Sequence, residues 1–340
     1  MIQIYKPENT EFDKNGDMTL FPTEATVHPV LNGEWEVKIT HPIDEEERWK
    51  YIEENAVLKM PSFNGEQLFR IKKKEKTDTE VTAEAQPIFM DAKDDCFLLD
   101  VRPTEKTGQQ ALDIMTAPNK KYTASSNINL VSTAYYQTQN LIEAINGEDE
   151  NAFVNRWGGE VLYDNFTVIV NDQVGGDYGM EILYGKNIPE DGFSEEVDVR
   201  DVVTRIIPKA FNGHMIDGDE PWVDSSVIDK YPTIRYGVME FEDVKMREDA
   251  QDGDEEDGIV ICDTQEELKE ALTEKCQEQF EAGVDKPKVT ISADLVLLEN
   301  TDLYKDIKEL TEVSLGDTVH CRHARLDITT DARVVELEWD

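Results

Sequence analysis

Three places in this chain hold residue types able to bind a metal or start a reaction. His320, Cys321 and His323 form the one dense group of soft ligands. On a strand, residues 320 and 321 point to opposite faces, so the three do not converge without a bulge. Zinc would need further ligands from afar, and His28, His41 and His214 are not spaced as a motif. These histidines read as structural or surface groups. The acidic run from Glu248 to Gly258 invites comparison with a calcium loop. An EF-hand starting at Asp252 would place Asp254 and Glu256 third and fifth, but Asp257 falls where the turn needs glycine and Asp263 where a bidentate glutamate belongs. A solvated loop of mutually repelling charges is the better reading. Hydrolysis lacks its tools too: there is no His-Glu-x-x-His, no Gly-x-Ser-x-Gly, and no cysteine in a recognisable nucleophile context. With 74 carboxylates, chance pairs are guaranteed, so no acid–base dyad is assigned. No catalytic, cofactor-binding or metal-binding residue is expected, and no cofactor.

Glycine and charge patterns point the same way. Gly175-Gly176-Asp177-Tyr178-Gly179 does not lead into a strong helix, which a phosphate cradle requires. Arg70, Lys72, Lys73, Lys74 and Lys76 make the densest basic cluster, interrupted by Glu75, and read as a solvated hairpin end. Against 34 basic residues the 74 acidic ones give a formal charge of −40, which repels phosphate backbones and anionic lipid. Direct nucleic-acid binding and membrane insertion are therefore not expected. No apolar run approaches the ~20 residues of a membrane span, and the start lacks a secretory pattern, so a soluble, cytoplasmically made protein is expected. Cys96, Cys262, Cys276 and Cys321 are far apart and read as free buried thiols.

The elements that hold these residues are strands at both ends and a mixed middle. Residues 1–98 alternate with period two, as in Glu34 to Thr40 and Glu80 to Ala85, with turns at Asn15-Gly16, Asn32-Gly33 and Asn64-Gly65. A brief acidic helix is expected within Asp44 to Glu54. Residues 99–195 carry a helix opened by the capping-box spacing Thr107 to Gln110 and a second from about Tyr135 to Ile145. Phe153 to Glu160 follows, its helix broken at Gly158-Gly159, then a hairpin turning at Asp164-Asn165. Trp157 is expected to pack under that glycine turn. Ile188 to Gly192 is a plausible boundary. Residues 196–340 return to strands at Glu196 to Val202, Val289 to Ile291, Leu295 to Leu298, Val319, Arg325 to Ile328 and Val334 to Trp339. An acidic loop and a helix interrupt them at about 248–283. Asp263 or Thr264 caps that helix, Glu267 completes a capping box with Thr264, and Leu268, Leu272, Cys276 and Phe280 share one face.

Taken in order, several of these fragments resemble the phage and prophage tail-tip baseplate hub family, also called the prophage endopeptidase tail family. They are Phe12 with Asn15-Gly16, Asn32-Gly33-Glu34-Trp35-Glu36, Gln67 to Ile71, Arg156 to Glu160, Tyr184 to Asn187, Val202 to Pro208, Leu310 and Val313 to Val319. The resemblance implies an α+β, multidomain fold: two β-barrel domains related to tail-tube proteins plus a mixed α/β domain. It implies domains at 1–98, 99–195 and 196–340, the last a discontinuous barrel that includes the final three strands. It also implies a non-enzymatic structural hub in the virion tail tip, assembled in the bacterial cytoplasm. The implied partners are two further copies in a homotrimer, the tail tube and distal spike or host-contact proteins. Three chains would set six barrels in a ring and so adapt sixfold to threefold symmetry. The chain ends directly after a hub-like strand, so no appended enzyme domain is expected. Two rivals remain: a tail-associated peptidoglycan hydrolase, and a carbohydrate-binding tail module using aromatic loops such as Pro221-Trp222.

Overall fold

Period-two alternation yields seven strands before residue 88: β1 (Ile2–Tyr5), β2 (Met18–Leu20), β3 (Glu24–His28), β4 (Glu36–Pro42), β5 (Val57–Ser62), β6 (Gly65–Lys76) and β7 (Glu80–Pro87). In this computed structural model, which describes residues 1–183, 187–188, 192–251, 259–294 and 313–339, they form one antiparallel sheet in the order β2-β1-β5-β6-β7-β4-β3. Val37, Ile39, Phe69, Ile71, Val81 and Ala83 point into its core. The basic residues of β6 are spent locally: Arg70 and Lys72 reach Asp91 at 2.7 and 3.3 Å, and Lys73 reaches Glu84 at 2.6 Å. The ladder order is open between β2 and β3, so hydrogen bonding does not close it into a ring. The acidic helix expected within Asp44 to Glu54 shrinks to a single 3-10 turn, Arg48–Tyr51, held by Asp44 against Arg48.

Short elements follow: α1 (Ala92–Asp95), β8 (Phe97–Leu98), β9 (Lys106–Thr107), α2 (Gly108–Thr116), β10 (Thr123–Ser125), β11 (Val131–Ser132), β12 (Gln139–Asn140), α3 (Leu141–Asn146), α4 (Phe153–Trp157), β13 (Glu160–Asp164), β14 (Thr167–Asn171) and β15 (Asp177–Leu183). The expected capping box opens α2, which buries Ala111, Leu112 and Met115. The hairpin β13-β14 turns at Asn165, and β10 joins it in parallel. The helix expected from Tyr135 starts instead at Leu141. Tyr136 is held by backbone hydrogen bonds of 2.9 and 3.0 Å with Val101, β12 pairs with β8, and the Asn140 side chain caps α3 by accepting from Glu143 N. Local pairing therefore captures the residues that helical periodicity had claimed.

A single hydrophobic core joins this segment to the first sheet. Trp35 and Phe89 stand 6.0 and 5.7 Å from Tyr163, and Phe89 is 5.2 Å from Tyr122. By compactness the chain divides into two units, residues 1–188 with 295–340 and residues 189–294.

The 189–294 unit contains β16 (Phe193–Asp198), β17 (Arg205–Ala210), β18 (Val223–Asp224), β19 (Tyr236–Phe241), β20 (Val244–Met246), β21 (Val260–Cys262), α5 (Gln265–Glu281) and β22 (Lys288–Ala293). β17 lies between β18 and β19, while β20 pairs with β21 and β16 with β22. The capping box of Thr264 and Glu267 forms, and α5 buries Leu268, Leu272, Cys276 and Phe280 with Ile206, Phe241 and Val244. In the other unit, β23 (Thr318–His323) pairs with β15 and with β24 (Ile328–Arg333).

The chain end does not join these later strands. Val335, Leu337 and Trp339 instead hydrogen-bond to the β3 edge and the residues after it, with Val27 N to Trp339 O at 2.8 Å and Trp339 N to Val27 O at 2.9 Å. An open strand edge accepts a partner that satisfies its backbone groups, and β3 is that edge. Among the described residues the later strands form separate sheets of two or three. The Leu295 to Leu298 strand, Leu310, Tyr184 to Lys186, most of the Ile188 to Gly192 boundary and residues 252–258 of the acidic loop lie outside the described residues. Among those described, no helix is long and apolar enough to cross a membrane.

The α5 face generates a stability prediction. Leu272 is fully buried in the smaller core, so Leu272→Ala should lower the stability of that unit by about 2–5 kcal/mol. Urea unfolding followed by circular dichroism checks it, and an unchanged midpoint would contradict the packing.

Candidate functional site

Two of the motifs that carried the resemblance, Arg156 to Glu160 and Val313 to Val319, are joined through Arg333 at one junction. Trp157 ends α4, stacks on Phe153 at 4.9 Å and donates its indole N–H to Lys106 O at 2.8 Å. Glu160, at the start of β13, accepts from Val174 N at 2.7 Å and receives both terminal nitrogens of Arg333, one at 2.6 Å. Arg333 also donates to Val174 O at 2.7 Å and to Gly316 O at 3.0 Å. Asp317 accepts from Gly176 N at 3.1 Å and Ser314 N at 2.8 Å. Glycine is required where the two backbones cross. A Cβ on Gly175, at φ +73°, would stand 2.3 Å from the Gly316 carbonyl carbon, and one on Gly316 would stand 2.3 Å from Val174 O. Burial pushes the Glu160 carboxyl up, but the hydrogen bond from Arg333, the Val174 amide and the Arg333 charge outweigh it and hold its pKa below the ordinary 4.5. The junction is an architectural clamp. The sequence named Glu160, Gly175, Gly176 and Gly316-Asp317 separately but gave no signal for Arg333, which lies 173 residues from its carboxylate partner.

The residues with reactive chemistry do not assemble beside it. All four cysteines are free and buried. Burial raises each thiol pKa, that of Cys276 to about 12, so the nucleophilic thiolate is disfavoured. His320 lies on the face of β23 opposite Cys321 and bridges Asp331 at 2.6 Å through Nδ1 and Asp177 at 3.0 Å through Nε2. His323 is buried with Cys321 on the other face. His28 pairs with Glu336 at 2.6 Å, His41 with the Pro42 carbonyl at 2.8 Å, and His214 with Asp249 at 2.7 Å. Asp263, the residue that failed the calcium pattern, pairs with Arg247 at 2.7 Å. The tryptophan of the sugar-binding alternative is engaged within the protein. The Arg205 guanidinium lies 4.4 Å from the Trp222 ring centre and is held by Asp224 at 2.5 and 2.6 Å. A cleft of 480 Å³ on the larger unit mixes Lys72, Lys73 and Lys38 with Glu34, Glu84 and Glu338, and so presents no consistent charge to a ligand.

Two predictions follow from this geometry. Gly179 also has positive φ, at +75°, but a Cβ there meets nothing within 4 Å. Gly179→Ala should therefore cost about 1–2 kcal/mol of backbone strain, and Gly175→Ala about 1–3 kcal/mol more because backbone must move. Equal losses in urea unfolding would show that the crossing is not tight. The second prediction concerns His320, whose pKa is raised above the ordinary 6.5 by the hydrogen bonds that its ring donates to Asp331 and Asp177. A raised folded-state pKa contributes stability in full below 6.5 and loses it as pH rises through the folded value. Asp177 has the opposite sign: the Gly179 amide and His320 depress its pKa below 3.8, so its contribution is lost as pH falls through that depressed value. Unfolding midpoints should fall from pH 6 into the alkaline range, and His320→Gln should flatten that limb. A limb unchanged by His320→Gln would contradict the assignment.

Residues 177–340 match the sequence profile of the Prophage endopeptidase tail family. No curated protein matches the chain in sequence. In fold, the chain is similar to the prophage tail protein gp18 from Listeria monocytogenes EGD-e, at TM-score 0.60 and 14% identity, over 99% of this chain and 90% of that one. The 43 kDa tail protein of prophage MuSo2 from Shewanella oneidensis is similar at TM-score 0.62 and 9% identity, over 99% and 92%. A tail protein from Neisseria meningitidis MC58 is similar at TM-score 0.58 and 10% identity, over 99% and 90%. The family resemblance read from the sequence is thereby shown: residues 177–340 match prophage endopeptidase tail proteins, and the chain carries the fold of prophage tail proteins along nearly its whole length.

Proposed function

We propose that this protein is a non-enzymatic structural component of a phage or prophage tail, acting as the hub at the tail tip. The observation that carries this reading is the tail-protein fold over 99% of the chain. The raised thiol pKa values and the carboxylate-bound histidines favour a building block over a peptidoglycan hydrolase. In this reading three copies form a ring between the tail tube and distal spike or host-contact proteins, and the protein resides in the virion. The seven-stranded sheet supplies the tube-related element of each copy. The second barrel, from residues 196–340, then draws on strands that form sheets of two or three among the described residues, which neighbouring copies in the particle would extend. The charge of −40 suits a wall past which DNA must slide without sticking.

Deleting the gene from its prophage tests this directly. The expected result is particles without completed tails, rescued by the wild-type chain, with no muropeptide release by the purified protein from host cell walls. Intact infectious particles after deletion would overturn the structural role. Muropeptide release abolished by a single substitution would favour the hydrolase alternative.

A further inference from the structure

We propose that His214, Asp249 and Glu248 form a binding site for a zinc-type divalent ion in the 189–294 unit. The three side chains offer one nitrogen and two carboxylate oxygens that lie within 4.8 Å of one another. Both carboxylates approach the same imidazole nitrogen: Nε2 stands 2.7 Å from Asp249 Oδ2 and 3.7 Å from Glu248 Oε1. Ligands about 2.0–2.2 Å from a tetrahedral zinc ion stand roughly 3.3–3.5 Å apart, a spacing that these two distances bracket. A small side-chain adjustment therefore admits the ion, with solvent completing the shell.

His320 provides the contrast within the same chain. It too has two aspartates, but they bind opposite ring nitrogens, so the three groups share no common centre and form a bridge between strands. At His214 the backbone arranges convergence. Asn212 at φ +58° and Gly213 at φ +79° turn the chain sharply after β17, and the 3-10 turn Arg247–Asp249 brings both acids to the imidazole. Asn212 Nδ2 donates to the other Asp249 oxygen at 3.2 Å, which orients the carboxylate as an outer-shell partner does. One imidazole nitrogen and two carboxylate oxygens offer a mixed donor set, and the imidazole selects a borderline-soft ion over calcium.

The test uses the full chain stripped with EDTA and titrated calorimetrically with zinc chloride alone. One zinc per chain is expected, with calcium unable to compete at equal concentration. His214→Gln and Asp249→Asn should each weaken binding about tenfold or more, and Asn212→Gly, which preserves positive φ, by about 10- to 100-fold. His320→Gln should leave it unchanged. Melting in EDTA confirms that each variant is folded, and the two ligand variants act as independent checks if one is not. Absence of saturable zinc binding, calcium competing equally, or affinity insensitive to both ligand variants would overturn the proposal.

Discussion

The clamp between Arg333 and Glu160 is the constraint on which the larger unit depends. One guanidinium spans the start of the β13-β14 hairpin, the Val174 carbonyl and the Gly316 carbonyl, and so fixes three distant stretches with one side chain. Forked, charge-assisted hydrogen bonds give direction as well as energy. The direction matters because the Gly175 and Gly316 backbones can cross only in one narrow geometry. From that crossing β15 and β23 run in parallel, and the chain then reaches the edge of the first sheet at Trp339.

Edge management is a second theme. The first sheet gains backbone partners for β3 from residues that are the last in the sequence. In the smaller unit the β16-β22 ribbon has two strands and is solvent-exposed along most of β16. Its charged residues, Glu195, Glu196 and Asp198, discourage indiscriminate pairing along that strand. That combination fits a protein whose fold is shared with components of assembled tails.

The abundance of acid is handled differently in different places. Around β6, lysines and arginine are consumed in local pairs with Asp91 and Glu84. At β23 a histidine bridges two aspartates, and near β17 another histidine meets two carboxylates on one nitrogen. Similar composition thus supports a strand bridge in one case and convergent ligands in the other. The difference lies in which ring nitrogens the backbone presents.

The sequence by itself determined the local elements whose signals are contained within a few residues. The α5 helix has its cap at Thr264 and its buried face at Leu268, Leu272, Cys276 and Phe280, because spacing alone sets which side chains share a face. The β13-β14 hairpin and the end of α4 were equally legible, since an Asx turn and paired glycines act where they stand. The family resemblance was also readable, through fragments that keep their order. Tertiary structure decided the rest. The start of α3 depended on Val101, about forty residues upstream, and the packing of Tyr163 against Trp35 and Phe89 joins segments far apart in sequence. The partner of Glu160 and the grouping of His214 with Asp249 were hidden for the same reason: a contact between residues far apart in sequence leaves no periodicity, and only the folded backbone brings its two halves within hydrogen-bonding distance.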